Sequence, residues 1–262
     1  MPVWIGTSGW QYKDWRGRFY PPKLPQVQWL EHYVRRFDTV EVNNTFYRLP
    51  KPETFASWRN RVPLSFVMTV KVNRFITHIK QLKDPEEPVR RFLDAAAPLG
   101  PRTGPMLIQL PPRLAVNPDR LRDTLDHFPR SLRLAVEFRH QSWFTDEVAA
   151  ILCDRNAALV LTDRNERLLE PEWRTADWGY VRFHEGTEPP WPHYSEAALA
   201  EWAERIVRLW PDDGADVFAY FNNDPGCWAV ADAVTFAGCL DRIGRSRTKV
   251  PTSDEVAPGA AA

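Results

Sequence analysis

The 262-residue chain has no charge of either sign in excess: 34 lysines and arginines balance 34 aspartates and glutamates. A dedicated nucleic-acid binder ordinarily shows a basic domain, so this neutrality argues against that class, although a local basic patch fits inside a neutral total. Cysteine is scarce. Cys153, Cys227 and Cys239 form no CxxC pair and leave one over in any disulfide scheme, so reduced thiols and a cytoplasmic setting are expected. No apolar run approaches the roughly 18 residues of a membrane-spanning helix, which excludes a transmembrane reading. The opening "MPVWIGTSGW" lacks the basic and apolar regions of a signal peptide. No glycine-rich dinucleotide fingerprint follows the first apolar run, since Gly6 and Gly9 in "GTSGW" do not match GxGxxG. The same stretch lacks the spacing of a nucleophile elbow, which makes Ser8 a poor nucleophile.

What is present is a core. Hydrophobic residues make up 44% of the chain, and tryptophan occurs twelve times, mostly as packing. Eight short β-branched or aromatic runs recur: 3–8, 39–45, 66–73, 106–112, 133–139, 158–163, 180–185 and 216–224. Helical patterns fill most gaps. "PQVQWLEHYVRRF" repeats apolar residues at Val27, Leu30, Val34 and Phe37. Asp84-Pro85 and Asn117-Pro118 each read as an N-cap before a first-turn proline, and Ser195 caps "EAALAEWAERIVRLW". Between runs six and seven, "RNERLLEPEWRTADW" is short, holds a proline, and is expected to carry little or no helix. Strands alternating with helices imply βαβ units, and eight units fit an α/β fold of one (β/α)8 TIM-type barrel over 1–243. An open doubly wound sheet is the alternative. The small, polar tail 244–262 is expected to be disordered.

Period-two alternation assigns faces. Val40 and Val42 oppose Glu41, Asn43 and Thr45; Val70 and Val72 oppose Lys71 and Asn73; Ile108 and Leu110 oppose Gln109. Val136 and Phe138 oppose Glu137 and Arg139; Val181 and Phe183 oppose Arg182 and His184; Phe221 opposes Asn222. Run six is ambiguous, because Thr162 and Asp163 point to opposite faces. The outer face of a barrel strand packs under helices and is apolar, so the polar set points inward, at the strand ends where barrel active sites lie. A buried charge pair between Glu41 and Lys71, on neighbouring strands, is the structural reading of the same residues, with desolvation consuming most of its attraction.

Five motifs, "GTSGWQYKDWRGRFYP" (6–21), "VEVNNTFYRLP" (40–50), "LIQLPP" (107–112), "AVEFRHQSW" (135–143) and "YFNND" (220–224), resemble the signatures of the YecE-like family, domain of unknown function 72. The resemblance spans about residues 3 to 243 and implies a TIM-type barrel without an established activity. The family's usual HG after the seventh strand stands here as "HEG", with Glu185 inserted.

The candidate catalytic residues are Glu41, Glu137, His184 and Lys71. Two carboxylates in unlike surroundings divide acid and base roles, and a histidine exchanges protons near neutral pH. Asn43, Gln109, Arg139, Arg182, Asn222 and Asn223 are candidate substrate contacts, with Trp10 and Tyr12 as a stacking wall. Arginine forks favour phosphate or carboxylate. The expected function is therefore an enzyme performing hydrolysis or elimination by acid–base chemistry on a small anionic sugar- or nucleotide-like substrate. Two alternatives stand beside it. One is a metal-dependent phosphodiesterase resembling the barrel apurinic endonucleases, short of histidine ligands because only His184 lies on a strand, with His78 and His140 in adjoining loops. The other is a non-catalytic binder of nucleic acid or a small ligand, using the loop bases Lys13, Arg16, Arg18, Arg74 and Lys80. No metal ligand set, cofactor or oligomeric state is legible.

Overall fold

All eight apolar runs form strands in the computed structural model, which describes residues 1–211 and 214–259. They are β1 (Val3–Thr7), β2 (Thr39–Val42), β3 (Val67–Lys71), β4 (Thr103–Gln109), β5 (Leu134–Glu137), β6 (Ala158–Asp163), β7 (Gly179–Phe183) and β8 (Val217–Phe221). The helices are α1 (Trp29–Val34), α2 (Asn44–Tyr47), α3 (Pro52–Arg61), α4 (Glu86–Ala96), α5 (Pro118–Asp126), α6 (Asp146–Asp154), α7 (Glu196–Leu209) and α8 (Trp228–Arg242). The strands stand in the order β1-β8-β7-β6-β5-β4-β3-β2 in one eight-stranded sheet. Strands following one another in chain order, with helices between, give the α/β fold of the (β/α)8 TIM-type class. Every residue of β2, β5, β6, β7 and β8 is buried, as expected for parallel strands covered on both faces.

Helix starts follow their local chemistry. The Asn117 side chain accepts from the Arg120 N–H at 2.9 Å before the first-turn Pro118, and Ser195 accepts from the Ala198 N–H at 3.2 Å. Removing the first cap with Asn117→Ala is expected to cost about 1 kcal/mol, read from the urea midpoint. Asp84 does not cap α4. Pro85 takes that position, and Asp84 lies at φ 45° with its carboxylate 3.4 Å from Lys80. Val27 also departs from the expected stripe: Leu30, Val34 and Phe37 are buried, but Val27 sits in the 3-10 turn before α1 and is 71% exposed. No helix lies between β6 and β7 among the described residues, in line with the sequence.

The second strand ends earlier than its alternation implied. Asn43 has helical φ/ψ, and Asn44–Tyr47 form the single turn α2. Thr45 Oγ1 donates to the carbonyls of Val42 (3.0 Å) and Lys71 (2.7 Å), satisfying groups that a continuing strand would have paired. The face assignments of Asn43 and Thr45 are thereby corrected, while Glu41 keeps its strand position.

By its internal contacts the chain divides into two units. Unit 1 comprises Met1–Glu41, Leu161–Glu170 and the chain from Trp178 onward; unit 2 comprises Val42–Val160 and Pro171–Asp177. Unit 1 is rich in stacked rings, with Tyr20 on Trp29 at 4.6 Å and Phe183 on Phe221 at 4.4 Å. Unit 2 stacks Phe138 on Trp143 at 4.9 Å. The tail belongs to unit 1 rather than to solvent, which corrects the expected disorder over 244–259. Thr248 donates its N–H to Val3 at 2.9 Å and accepts from the Ile5 N–H at 3.0 Å. Ala257 bonds Arg18 at 2.9 Å and Gly259 bonds Gly226 at 3.1 Å. Small polar residues do not signal order, but their backbone finds these partners. Residues 260–262 of that expectation lie outside the described residues. No helix among the described residues is long and apolar enough to cross a membrane.

Candidate active site

Each unit carries one polar cluster at the C-terminal ends of its strands. In unit 1 the centre is Glu41, 0% exposed. Ser8, bridged to it in parallel pairing, donates Oγ–H to Oε1 at 2.7 Å. Arg182 forks onto the carboxylate, Nη2 to Oε1 at 2.8 Å and Nε to Oε2 at 3.0 Å, and the Tyr180 hydroxyl donates to Oε2 at 2.5 Å. Tyr180 and Arg182 stand two apart on β7, so they share a face. Donors from Ser8, Tyr180 and a buried bidentate arginine on its two oxygens make Glu41 a clamp on Arg182. Burial, then the charge of Glu41, drives the Tyr180 hydroxyl well above its ordinary value, so Tyr180 remains a proton donor.

His184 follows two residues after Arg182. Arg182 Nη1 lies 3.5 Å from its Nε2, and Asn222 Nδ2 lies 3.3 Å from its Nδ1. The three residues after β8 each reach a different neighbour. Asn222 meets His184. Asn223, 1% exposed, donates to the Pro192 carbonyl (3.1 Å) and to Asp232 Oδ2 (2.6 Å), so it props the β7–α7 loop instead of lining an open surface. Asp224 bonds Tyr12, and burial pushes its carboxyl up to about 6. Tyr12 also donates to the Ser8 carbonyl and lies 4.8 Å from Trp15, whereas Trp10 is buried at 4% exposure. Glu185 salt-bridges Arg164 at 3.7 Å, and Gly186 lies where an added Cβ would come within 2.0 Å of the His193 carbonyl.

Two further carboxylates of unit 1 lie outside the candidate set. Asp232, 0% exposed, accepts from His193 Nδ1 (2.6 Å), the Tyr194 N–H (3.1 Å) and Asn223, and the His193 ring stacks on Trp228 at 4.1 Å. The hydrogen bond to Asp232 raises the His193 pKa. The available signal was an aspartate among the buried Ala229, Val230, Ala233 and Phe236 of α8. Asp163, the ambiguous residue of run six, accepts from Trp202 Nε1 (2.6 Å) and the Tyr194 hydroxyl (2.9 Å) and is 0% exposed. Burial raises its carboxyl to about 6.

A raised acid stabilises the fold only while protonated, so this contribution is complete below about pH 4 and lost as pH rises through about 6. Asp163→Asn is expected to gain on the wild type by about 2–3 kcal/mol between pH 4 and pH 7.5, measured by urea unfolding at both values.

In unit 2 the centre is Glu137, 1% exposed at the end of β5. Gln109 is its Cα partner in the β4–β5 register, and Gln109 Nε2 donates to both carboxylate oxygens at 2.8 Å. Arg139 Nε donates to Oε1 at 2.8 Å. Lys71, at the end of β3 and 8% exposed, places Nζ 4.4 Å from the Phe46 ring centroid. The other side of this group is the π-helix Phe75–Ile79, a form that recurs at functional sites. It carries His78, whose ring meets Phe46 edge-on at 4.9 Å and whose Nδ1 lies 2.8 Å from Thr77 Oγ1. Burial, and then the charges of Lys71, Arg74 and Arg139, press His78 down to about 4, so it is a neutral imidazole at pH 7. Asn43 precedes α2 with its Oδ1 buried and unbonded, and Asn73 donates to the carbonyls of Thr45 (2.8 Å) and Phe46 (3.2 Å).

The structure thus brings Lys71, Gln109, Glu137 and Arg139 together in unit 2, with His78 and Arg74 added. Glu41, Arg182, His184, Asn222 and Tyr12 gather in unit 1, with Asp224 added. Asn223 and Trp10 serve packing, and Asn43 has left the strand. No group of three or more His, Cys, Asp or Glu placed to hold a metal ion occurs among the described residues.

Comparison with known proteins gives the family and the fold. A family model described as "Protein of unknown function DUF72" matches residues 4–255. The chain is 33% identical over 143 residues to UPF0759 protein YecE of Escherichia coli, covering 54% of this chain and 50% of that protein, so the match spans about half the relative's length. It is 24% identical over 263 residues to UPF0759 protein YunF of Bacillus subtilis, covering 86% and 89% of the two chains. Among solved structures, a DUF72 family protein from Thermotoga maritima superposes with a TM-score of 0.79 at 29% identity, covering 92% of this chain and all of that one. One from Enterococcus faecalis gives 0.77 at 20% identity, covering 95% and 98%, a likeness of fold alone.

Proposed function

The chain belongs to the DUF72 family of proteins of unknown function, and from that premise we propose that it is an enzyme of acid–base chemistry, a hydrolase or lyase acting on an anionic sugar- or nucleotide-like substrate. The observation that carries this reading is the setting of Glu137. Its carboxylate is oriented by Gln109 and Arg139, and the charges bearing on the adjoining His78 include Lys71, Arg74 and Arg139. A fixed carboxylate base beside a paired arginine suits removal of a proton, or activation of water, next to a group that already bears negative charge. Arg139 and Lys71 would hold the anionic group and stabilise charge that develops on the substrate. Glu137 would take the proton, and neutral His78 would serve as its relay. In unit 1, Asp224 has a carboxyl pKa suited to proton donation near neutral pH.

The metal-dependent alternative meets a donor set already committed. Glu41 is clamped by Arg182, Glu137 by Gln109 and Arg139, and Asp232 by three donors. The binding-protein alternative is favoured by one observation, that both oxygens of Glu41 and of Glu137 are already hydrogen-bonded.

A thermal-shift screen of wild type and Glu137→Gln against sugar phosphates, nucleotides, oligonucleotides and divalent metals separates these readings. An anionic sugar- or nucleotide-like compound is expected to raise Tm and to be converted by the wild type. Stabilisation without product would replace the enzyme with a binder, and stabilisation by metal alone would restore the phosphodiesterase.

A further inference from the structure

We propose that His193 and Asp232 form a second proton-transfer centre, in which the His193 ring is a general base that activates water against a neutral ester. This goes beyond the reading above, because it lies wholly in unit 1 and uses neither Glu137 nor the cations around it.

The pair has the geometry of a held base. Asp232 Oδ1 lies 2.6 Å from His193 Nδ1, while its Oδ2 accepts from the Tyr194 N–H at 3.1 Å and from Asn223 Nδ2 at 2.6 Å. Two N–H donors on Oδ2 favour the ionised carboxylate, so the proton between the partners belongs to Nδ1. The neutral ring then carries its lone pair on Nε2. That nitrogen has no hydrogen-bond partner among the described residues, and the His193 side chain is 27% exposed above a fully buried aspartate. Trp228 stacks on the ring at 4.1 Å and fixes its plane. The backbone is fixed as well, with the His193 N–H on the Pro190 carbonyl at 3.3 Å and the Glu188 N–H on the His193 carbonyl at 3.0 Å. A buried carboxylate on Nδ1 that leaves Nε2 to the reactant is how an imidazole is set up as a base in acyl transfer. Stability alone gives little reason for it. Asp232 sits among Ala229, Val230, Ala233 and Phe236 of α8, where a buried ionic pair returns little over apolar packing.

The surroundings select the substrate. The charged groups facing the ring are Asp232 from α8, Glu188 from the same turn, and Glu166 from the segment after β6, whose Oε1 accepts from the Ser195 N–H at 2.8 Å. Residues 185–195 hold no lysine or arginine. A phosphate or carboxylate substrate meets repulsion there. Glycoside cleavage calls for two carboxyl groups free to act on either side of the bond, whereas Asp232 and Glu166 are held by N–H donors. A neutral ester meets neither objection, and Trp191, 59% exposed in the same turn, offers its apolar part a surface. No hydroxyl or thiol of the described residues bonds Nε2, so the nucleophile is water. Nε2 takes one water proton as the oxygen's electron pair forms the bond to the acyl carbon. The ester C–O bond then breaks, and the proton passes from Nε2 to the leaving oxygen. Water and ester become acid and alcohol, and between the two transfers the imidazolium is paired with Asp232.

Initial rates of the full chain on glycerol triacetate and p-nitrophenyl acetate test this. Wild type is expected to exceed free imidazole at equal concentration, with a rate that rises with pH along a limb above the ordinary histidine range, because the hydrogen bond to Asp232 raises His193. His193→Gln, whose amide can still donate to Asp232, should keep its Tm and lose about 10²-fold or more of the rate. Imidazole added to His193→Ala should restore part of it. Asp232→Asn should lower the plateau by about 10²-fold or more and move the limb to lower pH. His127→Gln removes an exposed histidine 3.4 Å from Asp123 and should match wild type. Wild-type rates no greater than those of free imidazole, an undiminished rate in folded His193→Gln, or a limb that stays in place in Asp232→Asn would overturn the proposal. A ring that only props the turn predicts a lower Tm in His193→Gln and no rescue by imidazole, and that result would overturn it too.

Discussion

Arg182→Met is expected to destabilise the fold by about 3–5 kcal/mol, the scale for stripping one partner from a buried ion pair. Arg182 and Glu41 are 1% and 0% exposed, and the guanidinium donates to both oxygens of the carboxylate. Without it, Glu41 remains buried and loses the cation on both its oxygens, while the neutral donors Ser8 and Tyr180 stay. Glu41→Gln should be comparably costly, because it strands the guanidinium instead. The double variant Glu41→Gln/Arg182→Met should recover most of the loss, since the glutamine carbonyl can accept from Tyr180 while its amide donates to Ser8. Urea unfolding of the four proteins completes the cycle, and a coupling of about 2 kcal/mol or more between the two sites is expected for a pair in direct contact. Additive losses would mean that the clamp is not the unit of stability in this part of the chain. The same cycle bears on function. If Glu41 works by holding Arg182 near His184, a residual activity that the double variant does not restore belongs to Arg182, not to proton transfer by Glu41.

Much of this arrangement was legible because strand alternation is a strict rule. Glu41, Lys71, Gln109, Glu137 and Arg182 all lie on the polar faces that the alternation assigned, and all but Gln109 and Lys71 are at most 1% exposed. The Gln109–Glu137 contact follows from register, which a single sequence does not disclose but which the structure sets at Gln109 opposite Glu137. Tyr180 escaped notice for a related reason. An aromatic on a strand reads as core, and only its hydroxyl on Glu41 marks it as part of the site. The alternation failed where the strand itself stopped: Thr45 satisfies two carbonyls through its hydroxyl, turns the chain into α2, and takes Asn43 off the face. His78 was legible only as a histidine in a loop beside the strands, and Asp232 was not legible at all. His78 sits in a π-helix, whose period matches neither template, and Asp232 draws its meaning from His193, 39 residues away. The tail misled because composition reports how much apolar surface a segment can bury. It does not report whether a backbone N–H such as that of Thr248 or Ala257 finds a carbonyl.

Glu137→Gln is expected to lower turnover of a sugar- or nucleotide-like phosphate by about 10²–10⁴-fold, the range for loss of a positioned general base. The substitution keeps the shape and removes the charge. Gln109 can rotate its amide to donate or accept, so one contact across β4 and β5 survives, and Arg139, a third exposed, recovers water in place of the carboxylate. Stability should therefore change by no more than about 1 kcal/mol, as for a partly exposed pair. A purely structural carboxylate, there to hold Arg139, predicts a different pattern, because Arg139→Gln would then reproduce the whole defect. The two are told apart by the pH profile of kcat/KM. In the general-base case Glu137→Gln removes the acidic limb, leaving a low, flat rate, while Arg139→Gln keeps the limb, moves it to higher pH and raises KM for the anionic substrate. In the structural case both variants keep the limb in place and lose rate equally. A carboxylate that moves protons must lose its limb when it loses its charge; one that only positions an arginine need not.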